Sequence, residues 1–339
     1  ILAQAGPSHS HACKTCCMGT SISRCCMGCG SSAGAASCSG TMSKNILVTG
    51  GNAGIGFALC KLLATGTKPD SQYKTPVPPS CHVFLGARNL ERGEAAVRKI
   101  LDDFPDAAGQ IEVLEIDVTD DASCAAAAAA LKAKGVCLYA LVNNAGLGLN
   151  QAEAATADVH SILNTNYYGP KRVIEAMVKL IDPKEGRIVN TSSGGACMYL
   201  KKQDATLKAT LSNPDITFDE LDKTIQAQAA RDDLAMKGYG MSKAALNGLT
   251  LVYAKAFPHL KVVSLSPGFI DTAMVKGFGA KLTPEQGCVS SLVCLFDEVT
   301  SGYFYGSDGL RSPFTMTRDP GMPAYEGEDD PAQDRYNKS

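Results

Sequence analysis

The stretch "LVTGGNAGIG" (residues 47–56) sets glycines at 50, 54 and 56 behind a short apolar run and in front of "FALCKLLATG", an apolar pattern of helical character. Glycine permits the tight turn from strand to helix and lets the backbone approach a pyrophosphate. The first turn of the helix then offers unpaired N–H groups and a favourable dipole. Gly50, Asn52, Gly54, Ile55 and Gly56 are therefore candidate contacts for the phosphates of a dinucleotide.

Working outward, short apolar runs alternate with longer amphipathic ones. "NILV" (45–48), "HVFL" (82–85), "IEVLEI" (111–116), "LYALV" (138–142), "RIVN" (187–190), "KVVSL" (261–265) and "GYFYG" (302–306) are strand candidates, and helical patterns fill the intervals. Parallel strands need crossover helices, so this order predicts a doubly wound parallel sheet of about seven strands in a single α/β domain, residues 42–312. "TGTKPDSQYKTPVPPSC" (65–81) is polar and Pro-rich, and reads as a surface loop. The second strand should present the group that reads the adenosine ribose. It ends in "FLGARNLERG", which offers Arg88 before any carboxylate, and this favours NADP over NAD.

With 45% hydrophobic and 19% charged residues the composition is that of a globular protein, and a net charge of -2 gives no electrostatic case for nucleic acid or an anionic membrane. No run approaches the ~18–20 apolar residues of a membrane span. Residues 1–41 are rich in Ser, Gly, Ala and Cys and lack acidic residues. They read as a disordered leader, a transit peptide or sequence upstream of a natural start at Met42. The location is accordingly cytoplasmic, or an organelle such as a plastid if the leader is a transit peptide. Cys13-x2-Cys16 and Cys26-x2-Cys29 are nine residues apart, too close for the usual zinc ribbon, and no metal is expected. The seven later cysteines are scattered, as reduced, buried thiols are. Residues 313–339 read as a C-terminal tail, disordered in the acidic stretch 326–334.

Taken together, these motifs resemble the short-chain dehydrogenase/reductase family across residues 43–312. "TGGNAGIG" is similar to its glycine motif, and Asp117 and Val118 in "IDVT" to its adenine contact. "NNAG", with Asn144, Ala145 and Gly146, is similar to its fourth-strand turn, and "SPGFIDT", with Pro267, Gly268 and Thr272, to the turn that cups the nicotinamide. Asn166 in "NTNYYG", Ser193 in "VNTSS", and Tyr239 with Lys243 match its catalytic set, with Ser192 the alternative serine. The resemblance implies a Rossmann-type sheet, NADP(H) as cofactor and a small-molecule carbonyl substrate. Ala53 stands where NADP-preferring members often carry a basic residue, which leaves the preference on Arg88. The long segment 194–238, with a Thr217 to Glu220 capping box, resembles the inserted helix of the monomeric carbonyl-reductase branch, so a monomer is implied.

Reducing a ketone needs a hydride, which a nicotinamide supplies, and a proton, which a phenol can supply. An unperturbed tyrosine, with a pKa near ~10, is a sluggish partner at neutral pH. Lys243, one helical turn from Tyr239, would favour the phenolate and lower that pKa, and Ser193 would hydrogen-bond the substrate oxygen. By resemblance Asn166 supports a water that relays protons to Lys243. The alternative is a catalytically silent NADP(H)-binding protein that keeps the fold. Met198, Tyr199, Leu200, Met274 and Phe278, in the least constrained segments, predict an apolar or aromatic guest.

Overall fold

The computed structural model describes residues 43–148, 158–231 and 238–327. The leader and most of the acidic stretch 326–334 lie outside the described residues. β1 (Lys44–Thr49), β2 (Cys81–Ala87), β3 (Ile111–Glu115), β4 (Leu138–Asn143), β5 (Arg187–Thr191), β6 (Lys261–Leu265), β7 (Phe304–Tyr305) and β8 (Arg311–Ser312) form one sheet in the order β3-β2-β1-β4-β5-β6-β7-β8. Every pairing is parallel except β7 with β8, so the expected seven strands gain a short antiparallel eighth. The chain runs outward from β1 to β3, crosses back, and runs outward again from β4. The switch point, and with it the ligand crevice of an open α/β sheet, falls between β1 and β4.

Strand residues alternate between two apolar cores, one on each face. Leu47, Leu141 and Ile188 join the core beneath one layer of helices, while Ile46, Val142 and Val189 join the other. Both faces are covered, which is why these strands read as continuous apolar runs.

Helices α1 (Gly54–Thr65), α2 (Leu90–Asp103) and α3 (Asp121–Ala133) connect the first four strands. Asn89 and Asp120 cap α2 and α3 with their side chains. α4 (Val159–Leu163) passes through a π-helical turn (Asn164–Tyr168) into α5 (Gly169–Met177). Segment 194–238, expected to add one helix, adds three among the described residues: α6 (Gly194–Lys201), α7 (Ala205–Leu211) and α8 (Phe218–Ala229). The Thr217–Glu220 capping box is present in both directions, with bonds of 3.2 Å and 3.0 Å. α8 buries Leu221, Ile225 and Ala229 against α9 (Tyr239–Ala256), and a Cβ added at Gly248 on α9 would stand 2.7 Å from Leu221 Cδ1. α10 (Val289–Phe296) packs on the opposite core.

Residues 313–327 do not trail into solvent. Arg318 makes a two-pronged ion pair with Asp308 at 2.7 and 3.0 Å, with side chains 0% and 1% exposed, and Phe314 stacks on Phe304. Cys197 Sγ meets the carbonyl of Pro313 at 3.3 Å.

Candidate active site

The turn after β1 is shaped by close backbone approach. Gly50 has φ +65, and a Cβ there would lie 2.9 Å from Ala145 Cα. A Cβ on Gly56 would lie 2.3 Å from the carbonyl oxygen of Gly50 and 2.4 Å from Asn144 Nδ2. Only hydrogen fits at either place. Ala53 precedes α1 in an extended conformation without a side-chain cap, and the first turn holds no acidic residue. The N–H groups at this helix end are thus left to a ligand, as an anion cradle requires.

The "NNAG" turn is bolted to β1. Thr49 Oγ1 accepts from Asn144 N at 3.0 Å and Ala145 N at 3.1 Å, and Asn144 Nδ2 donates to the carbonyl of Thr49 at 3.0 Å. A cleft of about 360 Å³ opens between these turns. At one end it is bordered by Arg88, Arg92, Asp117 and Val118. Gly50, Asn52, Gly54, Ile55 and Gly56 line its middle, along with Asn144 to Gly146. Tyr239, Lys243, Pro267 and Thr272 border the far end. Asp117 fixes its own loop, its Oδ1 accepting from Thr119 N at 2.9 Å and Thr119 Oγ1 at 2.7 Å. A nicotinamide dinucleotide fits this cradle: glycines where its phosphates pass, cations at one end, a phenol and an ammonium at the other.

Tyr239 opens α9, and Lys243 lies one turn on. The pair is not a wet helix face: Lys243 is 5% exposed and its helix is buried on nearly every side. Lys243 Nζ donates to the carbonyl of Thr191 at 2.9 Å and sits 5.9 Å from the Tyr239 ring centroid. Burial lowers its pKa to about 8. The Tyr239 phenol is pushed up by burial, with the hydrogen bond to Ser193 opposing that rise. The expected lowering of the phenol by Lys243 is therefore not found. Desolvation acts on both partners, and the ammonium stands over the ring only at the outer reach of a cation–π contact, 5.9 Å from its centroid.

The two candidate serines are separated by their contacts. Ser193 caps α6, its Oγ accepting from Gly195 N at 3.0 Å, and shares a hydrogen bond with Tyr239. Ser192 is buried and donates to the carbonyl of Lys243 at 3.1 Å, a bond within the scaffold. Asn166 stands in the π-helical turn, a widened turn that recurs at functional sites. Its Oδ1 accepts from Leu147 N at 2.8 Å, and its Nδ2 donates to the Leu147 carbonyl and to Ser242 Oγ at 3.0 Å each. Ser242 Oγ in turn donates to the carbonyl of Tyr239 at 2.7 Å. Asn166 and Ser193 support the far end of the cleft without bordering it, and so does Gly268, whose φ of +96 turns the chain after Pro267.

Sequence reasoning missed Arg92, Thr191 and Ser242. Arg92 was legible in the same run "ARNLERG": it stands in the first turn of α2, and Arg88 precedes that helix, both on the cleft wall. Thr191 acts through its carbonyl, which every residue type carries, and Ser242 acts on atoms supplied by a distant helix.

An open doubly wound sheet with a glycine cradle, a helix-capping serine and a Tyr-x3-Lys pair at its carboxyl edge defines a nicotinamide-dependent oxidoreductase scaffold. Residues 44–205 match the model of the short chain dehydrogenase family. The chain is 30% identical to (+)-neomenthol dehydrogenase of Arabidopsis thaliana, over 76% of this chain and 94% of that one. It is 28% identical to NADPH carbonyl reductase 1 of Homo sapiens, over 71% and 86% respectively. The solved structure of salutaridine reductase from Papaver somniferum superposes with a TM-score of 0.64 at 26% identity, covering 77% of this chain and 99% of that one. The chain belongs to the short chain dehydrogenase family.

Proposed function

We propose that this oxidoreductase uses NADPH to reduce the carbonyl of a ketone, aldehyde or quinone to the alcohol. The observation that carries the proposal is the cleft itself, with Arg88 and Arg92 at one end and Tyr239, hydrogen-bonded to Ser193, beside buried Lys243 at the other. When bound, the nicotinamide supplies the hydride that no side chain can. Tyr239 donates the proton to the carbonyl oxygen, and its raised pKa keeps it loaded with that proton at neutral pH. Lys243 stabilises the phenolate left behind and holds the nicotinamide ribose. Ser193 donates to the substrate oxygen as charge develops there. Asn166, fixed from two sides by Leu147 and Ser242, supports the water through which the proton on Tyr239 is replaced. Arg88 and Arg92 hold the 2′-phosphate and set the preference for NADP(H).

The substrate we assign is apolar or aromatic and of moderate size. Met198, Phe269 and Phe278 are more than half exposed, and Met274 borders the cleft at its nicotinamide end. Relatives named for neomenthol and salutaridine support a bulky guest. We also propose a monomer, since α8 covers the outer face of α9. A reducing compartment, cytoplasm or plastid, agrees with the buried thiols of Cys60, Cys81, Cys124, Cys197, Cys288 and Cys294, none of them in a disulfide. No helix among those residues is long and apolar enough to cross a membrane.

The test is NADPH oxidation by the purified chain against a panel of ketones, aldehydes and quinones. Tyr239→Phe should lower turnover by about 10²–10⁴-fold while NADPH still binds. If NADPH binds, no carbonyl compound is reduced and the phenylalanine variant matches wild type, the chain is a silent NADP(H)-binding protein. Arg88→Ala combined with Arg92→Ala should erase the preference for NADPH over NADH, and an unchanged preference would remove both residues from the assignment.

A further inference from the structure

The polar side chains buried beneath α9 do not all find partners. β4, β5 and β6 place Asn143 beside Asn190 and Asn190 beside Ser264, in register. Leu141, Ile188 and Val262, two residues earlier on each strand, belong to the core under α9, so the strand alternation turns all three polar residues toward that helix. From α9, Asn247 and Thr250 continue the stripe that begins with Tyr239 and Lys243. All five are at most 2% exposed.

Three hydrogen bonds join part of this group. Asn143 Nδ2 donates to Asn190 Oδ1 at 2.9 Å, Asn190 Nδ2 donates to Thr250 Oγ1 at 3.0 Å, and Thr250 Oγ1 donates to the Leu246 carbonyl at 2.9 Å. Four polar atoms remain without a partner among the described residues: Asn143 Oδ1, both amide atoms of Asn247, and Ser264 Oγ. A buried amide with neither atom bonded runs against the near-universal pairing of such groups, and four such atoms in one buried layer call for ligands. The chemistry selects them. Asn247 Nδ2 is a donor, the two amide oxygens are acceptors, and the serine hydroxyl serves either way. A cation cannot satisfy the donor and an anion cannot satisfy the acceptors, whereas water donates twice and accepts twice.

We propose that Asn143, Asn247 and Ser264 form an internal hydration site, holding at least one ordered water that joins α9 to strands β4 to β6. The site adjoins the reaction centre without touching the cleft. Side chains on a helix lean toward its amino end, so the Asn247 amide lies over the turn that carries Lys243. Asn190, already tied to α9 through Thr250, precedes Thr191, whose carbonyl holds Lys243 Nζ. Water bonded to both layers fixes the spacing between them, and with it the reach of Lys243. Asn247 is in this sense a positioning residue.

A high-resolution crystal structure of the full chain should show density within hydrogen-bond distance of the Asn247 amide and of Asn143 Oδ1 or Ser264 Oγ. Direct pairing of Asn247 with Asn143 or Ser264, and no density between them, would overturn the proposal. A double-mutant cycle gives a second reading. Ser264→Ala and Asn247→Leu should each lower Tm, by on the order of 2–4 °C for a modest loss. Together they should lower it by less than the sum, because both remove bonds to one shared water. Strict additivity argues against a shared site, and Ser264→Ala, which deletes a single oxygen, keeps the test open if Asn247→Leu folds poorly. The effect on Lys243 rests on the proposed reaction and is read separately. The Kd for NADPH, measured on the folded fraction, should rise several-fold in Asn247→Leu, and an unchanged Kd would leave the water without a positioning role. The diffraction and stability readings stand whether or not any carbonyl compound is reduced.

Discussion

Lys243 is where residue-level chemistry is most exposed to measurement. Burial lowers its pKa to about 8, below the ~10.4 of a free lysine. Between those values the unfolded chain holds a proton the folded chain has released, so this residue's contribution to stability rises with pH across that window. Activity moves the other way. In the proposed reaction, loss of the ammonium would remove the charge assigned to stabilising the Tyr239 phenolate, so carbonyl reduction by wild type should fall as pH rises through about 8. A pH profile of kcat/KM beside denaturant unfolding at the same pH values checks both signs. Rates that keep climbing to pH 9 would remove Lys243 as the required cation. The pair itself was legible from its spacing, but its setting was not. Tyr-x3-Lys on a helix fits a wet surface pair as well as a buried one, and only the layers packed around α9 bury Lys243 to 5% exposure.

The elements carry two further tests. At the first crossover, Gly56→Ala would drive a Cβ to 2.3 Å from the Gly50 carbonyl and 2.4 Å from Asn144 Nδ2. The cradle must open, and titration with NADPH should show binding lost while α1, well inside its apolar core, still folds. In the inserted segment, Leu221 fills the space that Gly248 leaves on α9. Leu221→Ala should cost about 2–5 kcal/mol in urea unfolding, and a loss below ~0.5 kcal/mol, the level of a surface substitution, would mean that α8 is loosely attached. The sequence indicated α8 through its capping box, a local signal that the structure reproduces atom for atom. α6 and α7 gave no comparable signal. α6 starts from the serine motif itself, and α7 is one short run capped by Asp204.

At the scale of the whole molecule, the buried Asp308–Arg318 pair holds the C-terminal segment to the last hairpin. Burial alone would raise the Asp308 carboxyl, but bonds from Arg318 and from Gly321 N outweigh it and hold the group below the usual carboxylate range. Its contribution to stability is complete above the unfolded pKa of ~3.9 and is lost as pH falls through the lower folded value. Arg318→Met should destabilise the protein by about 3–5 kcal/mol, since it leaves a buried carboxylate unpaired. The acid limb of the unfolding curve should also move to higher pH. An acid limb unchanged in the variant would show that the pair does not govern low-pH stability.

The sequence by itself determined the order of strands and helices, the two-faced burial of the sheet, the glycine cradle and the residue types at the reaction centre. Each of these is written locally, as an apolar period, a glycine where no Cβ fits, or a spacing along one helix. The tertiary structure decided what depends on distance between remote segments. It placed Ser193 rather than Ser192 on the Tyr239 phenol, gave Lys243 the carbonyl of Thr191, added the antiparallel β8, and folded residues 313–327 back through a buried ion pair. Those contacts depend on backbone acceptors, which leave no mark on residue type, and on paired charges whose partners are chosen only when the layers pack.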